Sequence, residues 1–432
     1  MKRPWSAAVA CGLALTSAGV ALIGLHQGNA ATNPGSDSPD CAERGGQLTA
    51  PLTDSPIAVG WSRRWASSTT PIVDARGHTW EPDTLIARGG TLRTVPSGAT
   101  RRVGVPCYIL PIPMPGMWTV TIGVEPPPEG GAAAFTMTAT GSSGVVRQNA
   151  DIRTMRRVSL TVPATEGGMR VDLATAVGHT AISSVSLTLA RKGTEAPAII
   201  FADDFRGTRL DTTKWTTETG SQGWGNRELQ SYTSTADNIL VDADRLAITA
   251  RRDRVAGRPD SFTSGRLNSR FSAAYGRIEA HIRTPRGAGL LPAFWMLGAD
   301  SSHLRWPNCG EIDIMESLGE REPSTVHASL HGPDHRGEPW RHTASLVTNH
   351  DLAEGFHTYT LDWWPHSLQM SFDGEAYASF APEDLSPDQR WQFDKPYYLL
   401  LNLAVGGDWP GTPSPALQFP QTMQVDFVRW RR

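Results

Sequence analysis

The 432-residue sequence has little net charge and few cysteines. Its 40 basic and 43 acidic residues leave a formal charge of −3, so there is no basic excess to attract nucleic acid or an anionic membrane surface. The four cysteines show no CxxC or Cys/His spacing of the kind that indicates a zinc site. There is also no internal repeat of fixed period. These absences argue against a nucleic-acid-binding protein, a zinc module and a repeat protein.

A single stretch, at the N-terminus, is apolar and long enough to cross a bilayer. A basic pair precedes an uncharged run at residues 7–25, and the small residues Gly-Asn-Ala follow at 28–30. This is the order of a secretory signal, so we expect residues 1–31 to be a signal peptide. The protein would then be secreted and extracellular, with no stable membrane association after cleavage. An uncleaved anchor is the alternative, weakened by the Gly, Ser, Thr and Ala content of the run.

The rest of the chain is predicted to be all-β. Short runs rich in β-branched and aromatic residues, separated by Gly, Pro and Asn/Asp clusters, recur over residues 41–190 and again over 201–432. No long helical period appears. We therefore predict a smaller β-sandwich at 41–190, a linker at 191–200 and a second β domain at 201–432.

The first domain resembles malectin-like carbohydrate-binding sandwiches. The resemblance rests on VDARGHTWEPDTLIARGG at residues 73–90 and on the β-rich segment 102–127. It implies a glycan-binding module, and the alternative is an ancillary sandwich without a ligand. Cys41 and Cys107 flank part of this domain and could form a disulfide in an oxidising compartment, which would leave Cys309 as an odd thiol.

The segment that indicates chemistry is NCGEIDIMES, at residues 308–317. Side chains alternate between the two faces of a strand, so Glu311 and Asp313 share one face and Glu316 falls on the other. A β-bulge near Ile314–Met315 would return Glu316 to the face of the first two acids. The alternative is a half-exposed strand with a solvated acidic face.

Three carboxylates on adjacent rungs suit the hydrolysis of a glycoside with retention of configuration. That reaction needs a nucleophile and a general acid/base about 5–5.5 Å apart. A third carboxylate between them can hydrogen-bond the nucleophile and influence the protonation of its neighbours. The spacing therefore predicts a mechanism as well as a charged face.

Residues 201–432 resemble family 16 glycoside hydrolases of the laminarinase type, which are endo-1,3-β-glucanases. The family's signature in its bulged form is E-I-D-I-M-E. Around it, the resemblance is carried by GWGNRELQSYT (223–233), YGRIEAHIRTPRGAGLLPAFWMLG (275–298), RWPNCGEIDIMES (305–317), TVHASLHGP (325–333), LNLAVGGDWPG (401–411) and FPQTMQVDFVRW (419–430). The resemblance implies a jelly-roll β-sandwich whose concave sheet forms the substrate cleft.

By this resemblance Glu311 is the nucleophile, Glu316 the general acid/base and Asp313 the residue that assists them. Six further residues are expected to bind the glycan: Asn226, Arg270, Trp295, Trp306, His331 and Trp409. Indole faces stack on sugar rings, and Asn, Arg and His hydrogen-bond to hydroxyls. One departure is Leu291, which stands where the family usually has Trp, so one stacking contact is in doubt.

Catalysis by carboxylates implies no cofactor. The family often holds a structural calcium on the convex face, and Asp426 matches its carboxylate ligand in the final strand. An Asp that caps a sheet edge is the alternative. The partner is expected to be a polysaccharide, with the protein acting as a monomer.

Two other functions remain open from the sequence. The same fold could hydrolyse another β-linked polysaccharide, such as mixed-linkage glucan or a galactan. It could also be a glucan-binding protein without activity, although the presence of all three acids argues against that.

Overall fold

The computed structural model describes residues 62–66, 72–73, 79–82, 87–88, 91–94, 100–103, 107–124, 134–141, 144–151, 156–165, 167–175, 181–194, 197–254 and 259–432. The predicted signal peptide and Cys41 lie outside the described residues. Cys107 is disulfide-bonded, and Cys309 is a buried free thiol. Within the described ranges, no helix has both the length and the apolar character needed to cross a membrane.

The prediction of an all-β fold is confirmed. The N-terminal part contributes thirteen of the described strands: β1 (Ser62–Ala66), β2 (Ile72–Val73), β3 (Thr79–Pro82), β4 (Ala87–Arg88), β5 (Thr91–Thr94), β6 (Thr100–Val103), β7 (Cys107–Ile112), β8 (Gly116–Val124), β9 (Ala134–Gly141), β10 (Gly144–Asp151), β11 (Arg157–Ala164), β12 (Gly167–Thr175) and β13 (Ala181–Lys192).

Seventeen described strands follow in the C-terminal part. They are β14 (Ile199–Asp203), β15 (Trp215–Thr217), β16 (Gln230–Tyr232), β17 (Ile239–Asp242), β18 (Arg245–Asp253), β19 (Ser261–Ser264), β20 (Arg266–Ala273), β21 (Gly276–Arg283), β22 (Leu290–Gly298), β23 (Glu311–Glu316), β24 (Thr325–Pro333), β25 (Pro339–Val347), β26 (His357–Trp364), β27 (Ser367–Phe372), β28 (Glu375–Phe380), β29 (Tyr397–Val405) and β30 (Gln421–Arg431). Short 3-10 turns lie at Gly223–Gly225, Gly319–Arg321 and Pro382–Asp384.

The C-terminal part is a sandwich of two sheets. One sheet has seven strands in the order β15-β20-β29-β22-β23-β24-β25, and we call it the cleft sheet. The opposing sheet, here the outer sheet, contains β18-β30-β21-β26-β27-β28. Their inner faces enclose one hydrophobic core, in which Trp215, Trp363 and Trp430 are fully buried. Burial of this apolar surface is what holds the two layers together.

The N-terminal strands have a separate hydrophobic core, with Trp118 and Phe135 among its buried residues. Their β9, β10 and β12 nevertheless belong to the same continuous sheet as the outer sheet. The connection is β10, which pairs in parallel with β28 through Asn149↔Glu375 and Ala150↔Ala376.

The strand that carries the three acids begins directly after a glycine in the left-handed region. Gly310 has φ 72°, and a Cβ at this position would collide with the hydroxyl of Tyr397 and press on Gln392. Gly337 has a similar φ of 88°, but the space around it is open. The two glycines therefore share backbone strain and differ in crowding.

We expect Gly310→Ala to lower the free energy of unfolding by about 2–4 kcal/mol, because overpacking adds to left-handed strain. Gly337→Ala, which adds strain alone, should cost about 1 kcal/mol. Chemical denaturation of both variants measures the difference. Equal costs would mean that Tyr397 moves aside freely.

Candidate active site

The three acids meet on one face because β23 is bulged. On one side of β23, Asp313 pairs with Trp295 and Met315 with Phe294, so Ile314 has no partner in β22. On the other side, the ladder to β24 passes directly from Asp313 to Glu316. The extra residue restores the alternation, and all three carboxylates point to the cleft. The bulge lies where the sequence pattern places it.

The acids lie in a cleft of ≈ 440 Å³ on the cleft sheet. Its walls come from β20, β29, β22, β23, β24 and β25, which are neighbours in that order, so the cleft runs across the strands. Aromatic and apolar lining residues are Trp224, Leu291, Ala293, Trp295, Leu297, Trp306, Trp409 and Pro410; polar ones are Asn226, Glu228, Arg266, Ser329, His331, Arg341 and Asn402. Such a mixture suits pyranose rings, which have apolar faces and a polar rim.

Burial sets the protonation of the acids. It raises the pKa of Glu311 to about 8, and the neighbouring charge of Asp313 adds to the increase. Burial also raises the pKa of Asp313 to about 8. The pKa of Glu316 is raised well above its ordinary value, first by burial and then by the charges of Asp313 and Glu311. The three groups interact so strongly that they cannot all ionise together at neutral pH.

The partners of the acids favour a negative charge on Glu311. His331 Nε2 lies 3.7 Å from Glu311 Oε1 and 3.2 Å from Asp313 Oδ2. The charges of His331 and Arg266 and a hydrogen bond from Trp306 all act to lower the pKa of Glu311. For Glu316 the opposing charges are His331 and Arg341. A shared proton therefore resides preferentially on Glu316.

A buried polar network holds one of the aromatic walls in place. The indole Nε1 of Trp295 donates to Asn402 Oδ1 at 2.6 Å. Asn402 Nδ2 donates to the hydroxyl of Tyr232, and that hydroxyl donates to Glu228 Oε2 at 3.2 Å. Burial raises the pKa of Glu228. Because each donor in this chain has an acceptor in the next residue, the network holds the indole ring of Trp295 in one orientation.

Arg266 is the principal residue that the sequence prediction missed. Its guanidinium lies over the rings of Trp224 and Trp295, 4.7 and 4.8 Å from their centroids, and forms an ion pair with Glu218. Trp224, Glu228, Arg341 and Asn402 were also not singled out. Trp224 and Glu228 lie within the GWGNRELQ segment, which is the signal that could have found them.

Five of the six predicted glycan-binding residues line the cleft: Asn226, Trp295, Trp306, His331 and Trp409. Arg270 does not line it. Its exposed side chain donates from Nε to the carbonyl of Thr212 at 2.8 Å. The register of β20 against β29 is irregular between Asn268 and Ser272, which disrupts the alternation that would have aligned Arg270 with Arg266.

Leu291 lies in the cleft wall at the position where the sequence suggested a missing aromatic. It packs with Leu318, Ala404 and Trp409 in a small apolar cluster that is separate from the main core. Trp409 is held from the other side by Arg321 Nη1, which donates to its carbonyl, and by the ring of His327 at 4.9 Å. An apolar surface thus remains at this end of the cleft, formed by a smaller side chain.

The residues around Asp426 do not fit a calcium ion. Asp426 Oδ2 is hydrogen-bonded to His281 Nδ1 at 3.0 Å, and Arg245 Nε lies 3.7 Å from Asp426 Oδ1. Calcium requires several oxygen ligands, whereas these neighbours are nitrogen groups, one of them a permanent cation. Asp426 is the residue that β21 skips in its ladder with β30, so its side chain projects from a bulge toward these groups. The calcium prediction therefore finds no support here.

Comparisons with known proteins agree with this arrangement. The family model for glycosyl hydrolases family 16 matches residues 226–429. Glucan endo-1,3-beta-glucosidase A1 of Niallia circulans is 36% identical over 262 residues, which are 54% of this chain and 37% of that protein. A beta-glucanase of Rhodothermus marinus is 35% identical over 242 residues, 54% of this chain and 84% of that protein. The endo-beta-1,3-glucanase structure from Pyrococcus furiosus has a TM-score of 0.50 and 38% identity, covering 54% and 94% of the two chains.

The fold and the acids of the cleft define a glycoside hydrolase. The chain belongs to glycosyl hydrolases family 16.

Glu311→Gln should stabilise the protein at pH 8 and change its stability little at pH 4. The raised pKa means that the folded state binds more protons than the unfolded state between about pH 4.5 and pH 8, so stability falls as pH rises through this window. An amide removes that loss, and we expect Tm to increase by about 2–5 °C at pH 8. Calorimetry at both pH values tests this. An equal change at both would show that ionisation is not the cause.

Proposed function

We propose that the protein is a secreted, retaining endo-β-glucanase that hydrolyses β-1,3-glucan of the laminarin type. The similar proteins named above include an endo-1,3-β-glucosidase, a β-glucanase and an endo-β-1,3-glucanase, which supports this substrate. A cleft that crosses the strands of an open sheet can hold an internal segment of a polymer, which supports endo action. Secretion is proposed from the N-terminal signal sequence alone.

The observation that carries the proposal is the unequal environment of the two glutamates. Glu311 has His331, Arg266 and Trp306 to stabilise its charge, whereas Glu316 is buried beside two other acids. A nucleophile must be ionised when a general acid is protonated, and this asymmetry favours ionisation of Glu311 before Glu316.

The proposed reaction has two steps. In the first, the Glu311 carboxylate attacks the anomeric carbon while Glu316 gives its proton to the departing glycosidic oxygen, forming a glycosyl ester. In the second, the Glu316 carboxylate takes a proton from water, whose oxygen attacks the same carbon and releases Glu311. Both inversions together retain the configuration.

Glu311→Gln and Glu316→Gln should each remove most of the activity on laminarin while leaving the fold intact, because an amide is isosteric but neither nucleophilic nor acidic. We expect a loss of about 10³-fold or more, measured as reducing-sugar release. Glu338→Gln is the matched control, since Glu338 is exposed and lies outside the cleft lining. Turnover of laminarin near the unsubstituted rate in either cleft variant would refute the assignment.

The stereochemistry provides an independent check. Attack by Glu311 followed by attack of water predicts that the first products carry the β-anomer. Proton NMR during the first minutes of hydrolysis, before mutarotation, measures this. Early appearance of the α-anomer would require a direct attack by water and a different pairing of the carboxylates.

A further inference from the structure

Two irregular strands lie in the opposing sheets of the C-terminal sandwich, one in the cleft sheet and one in the outer sheet. In β23, Ile314 is the residue left without a ladder partner in β22. In β28, the ladder with β27 passes directly from Ala376 to Ala378, so Tyr377 is the extra residue of a bulge in this ladder. A bulge redirects the side chain or the peptide group of its extra residue. The two extra residues mark the points at which each strand departs from its regular ladder.

These two residues make contact through the core. The Tyr377 hydroxyl donates to the carbonyl of Ile314 at 3.4 Å, in a fully buried position. A backbone carbonyl that loses its ladder partner inside a core needs another donor. Burial and the neighbouring Glu316 raise the pKa of Tyr377, which places the hydroxyl near the proposed general acid.

The strand that carries Tyr377 is also where the N-terminal part is attached. Backbone pairing with β10 holds Glu375 and Ala376, and Gln148 Nε2 donates to the carbonyl of Gly374 at 3.1 Å. The side chain of Ala376 is buried in the N-terminal core, whereas the next residue, Tyr377, is buried in the core between the cleft sheet and the outer sheet. Consecutive residues of β28 thus belong to two different cores.

A second attachment lies on the neighbouring strand. Gln369 of β27 is fully buried, accepts from Ser159 N at 2.8 Å and donates to Ser159 O at 2.9 Å. Arg157 forms an ion pair with Asp384 beside it. Together with the β10–β28 pairing, these contacts fix β27 and β28 from the side opposite to the cleft. We call this set of contacts the joint.

We infer that Tyr377 is a positioning residue for the bulge that places Glu316, and that the N-terminal sandwich supports it through the joint. The inference rests on the proposed roles of Glu311 and Glu316. Tyr377 does not touch the substrate; it acts through the carbonyl of Ile314, two residues before the general acid. The N-terminal part is then a structural component of the catalytic unit rather than a module on a tether.

Tyr377→Phe tests the first part of the inference. A displaced general acid matters most when the leaving group needs a proton, so kcat/KM on laminarin should fall about tenfold through kcat, with KM within about twofold. From a dinitrophenyl β-laminarioligoside the dinitrophenolate departs without protonation, so the kcat/KM of the variant on this substrate should stay within about twofold of that of the unsubstituted enzyme. This dependence on the leaving group is a signature that simple loss of stability does not produce.

Tyr359→Phe is the matched control. Tyr359 is equally buried in the outer sheet, and among the described residues its hydroxyl has no hydrogen-bond partner. It should leave both rates unchanged. Equal rates for the two Phe variants, or equal losses on both substrates in Tyr377→Phe, would overturn the role of Tyr377. Glu316→Gln in the same assay tests the proposed function separately, because a general acid must show the same dependence in a stronger form.

Gln369→Ala in the full chain tests the joint. It leaves the N–H and C=O of Ser159 without their partner and should lower the laminarin rate in the same leaving-group-dependent way. Asn238→Ala is the control for lost stability, since Asn238 is buried, donates to Thr249 O at 2.8 Å and lies outside the cleft lining. A Gln369→Ala enzyme with a lowered Tm and unchanged rates would show that the N-terminal sandwich gives no support to the bulge.

Discussion

The arrangement of the active site depends on burying three like-charged carboxylates on one strand face. Each acid resists ionisation in the low-dielectric interior, and each ionised acid disfavours the next. The fold tolerates this because β23 is held on both sides by the cleft sheet and because His331 and Arg266 supply positive charge. Burial and mutual repulsion raise the pKa values of the acids, which lowers the stability of the folded state. The same effects allow one acid to keep its proton while another ionises. Stability and catalytic readiness are thus opposed at this site.

The side chains around the acids are themselves held in fixed positions. Arg266 lies over two indole rings and is itself fixed by Glu218, so the cation that favours a charge on Glu311 cannot move away freely. The network from Trp295 to Glu228 adds a second rigid support under the aromatic wall. A site assembled from packed strands in this way is precise because neighbouring elements fix each side chain.

The acids and their bulge could be predicted because the signal is local: a period of two interrupted by one residue. Arg270 was expected to bind the glycan from the family resemblance, and an irregularity in β20 that no local pattern indicates changes which side chains reach the cleft. The surroundings of Asp426 could not be foreseen for a different reason. Its residue type suits calcium, but its nitrogen neighbours Arg245 and His281 come from β18 and β21, which are far from β30 in sequence and pair with it on either side. Such contacts depend on which strands pair across long sequence separations, and this pairing cannot be predicted from the local patterns of a single sequence.

The relation between the two sandwiches shows the same limit most clearly. The sequence suggested a short linker at 191–200, and β13 ends at Lys192 and β14 begins at Ile199; the sequence indicated nothing about the strand pairing that joins the two parts. The outer sheet ends at β28, and an unpaired edge strand there would present free N–H and C=O groups. In this chain β10 covers that edge, and Ala376 enters the neighbouring core. Strand pairing at a sheet edge fixes the position of β28 in a way that a flexible linker cannot. The residue that follows Ala376 in this strand, Tyr377, contacts the bulge of β23 at the carbonyl of Ile314.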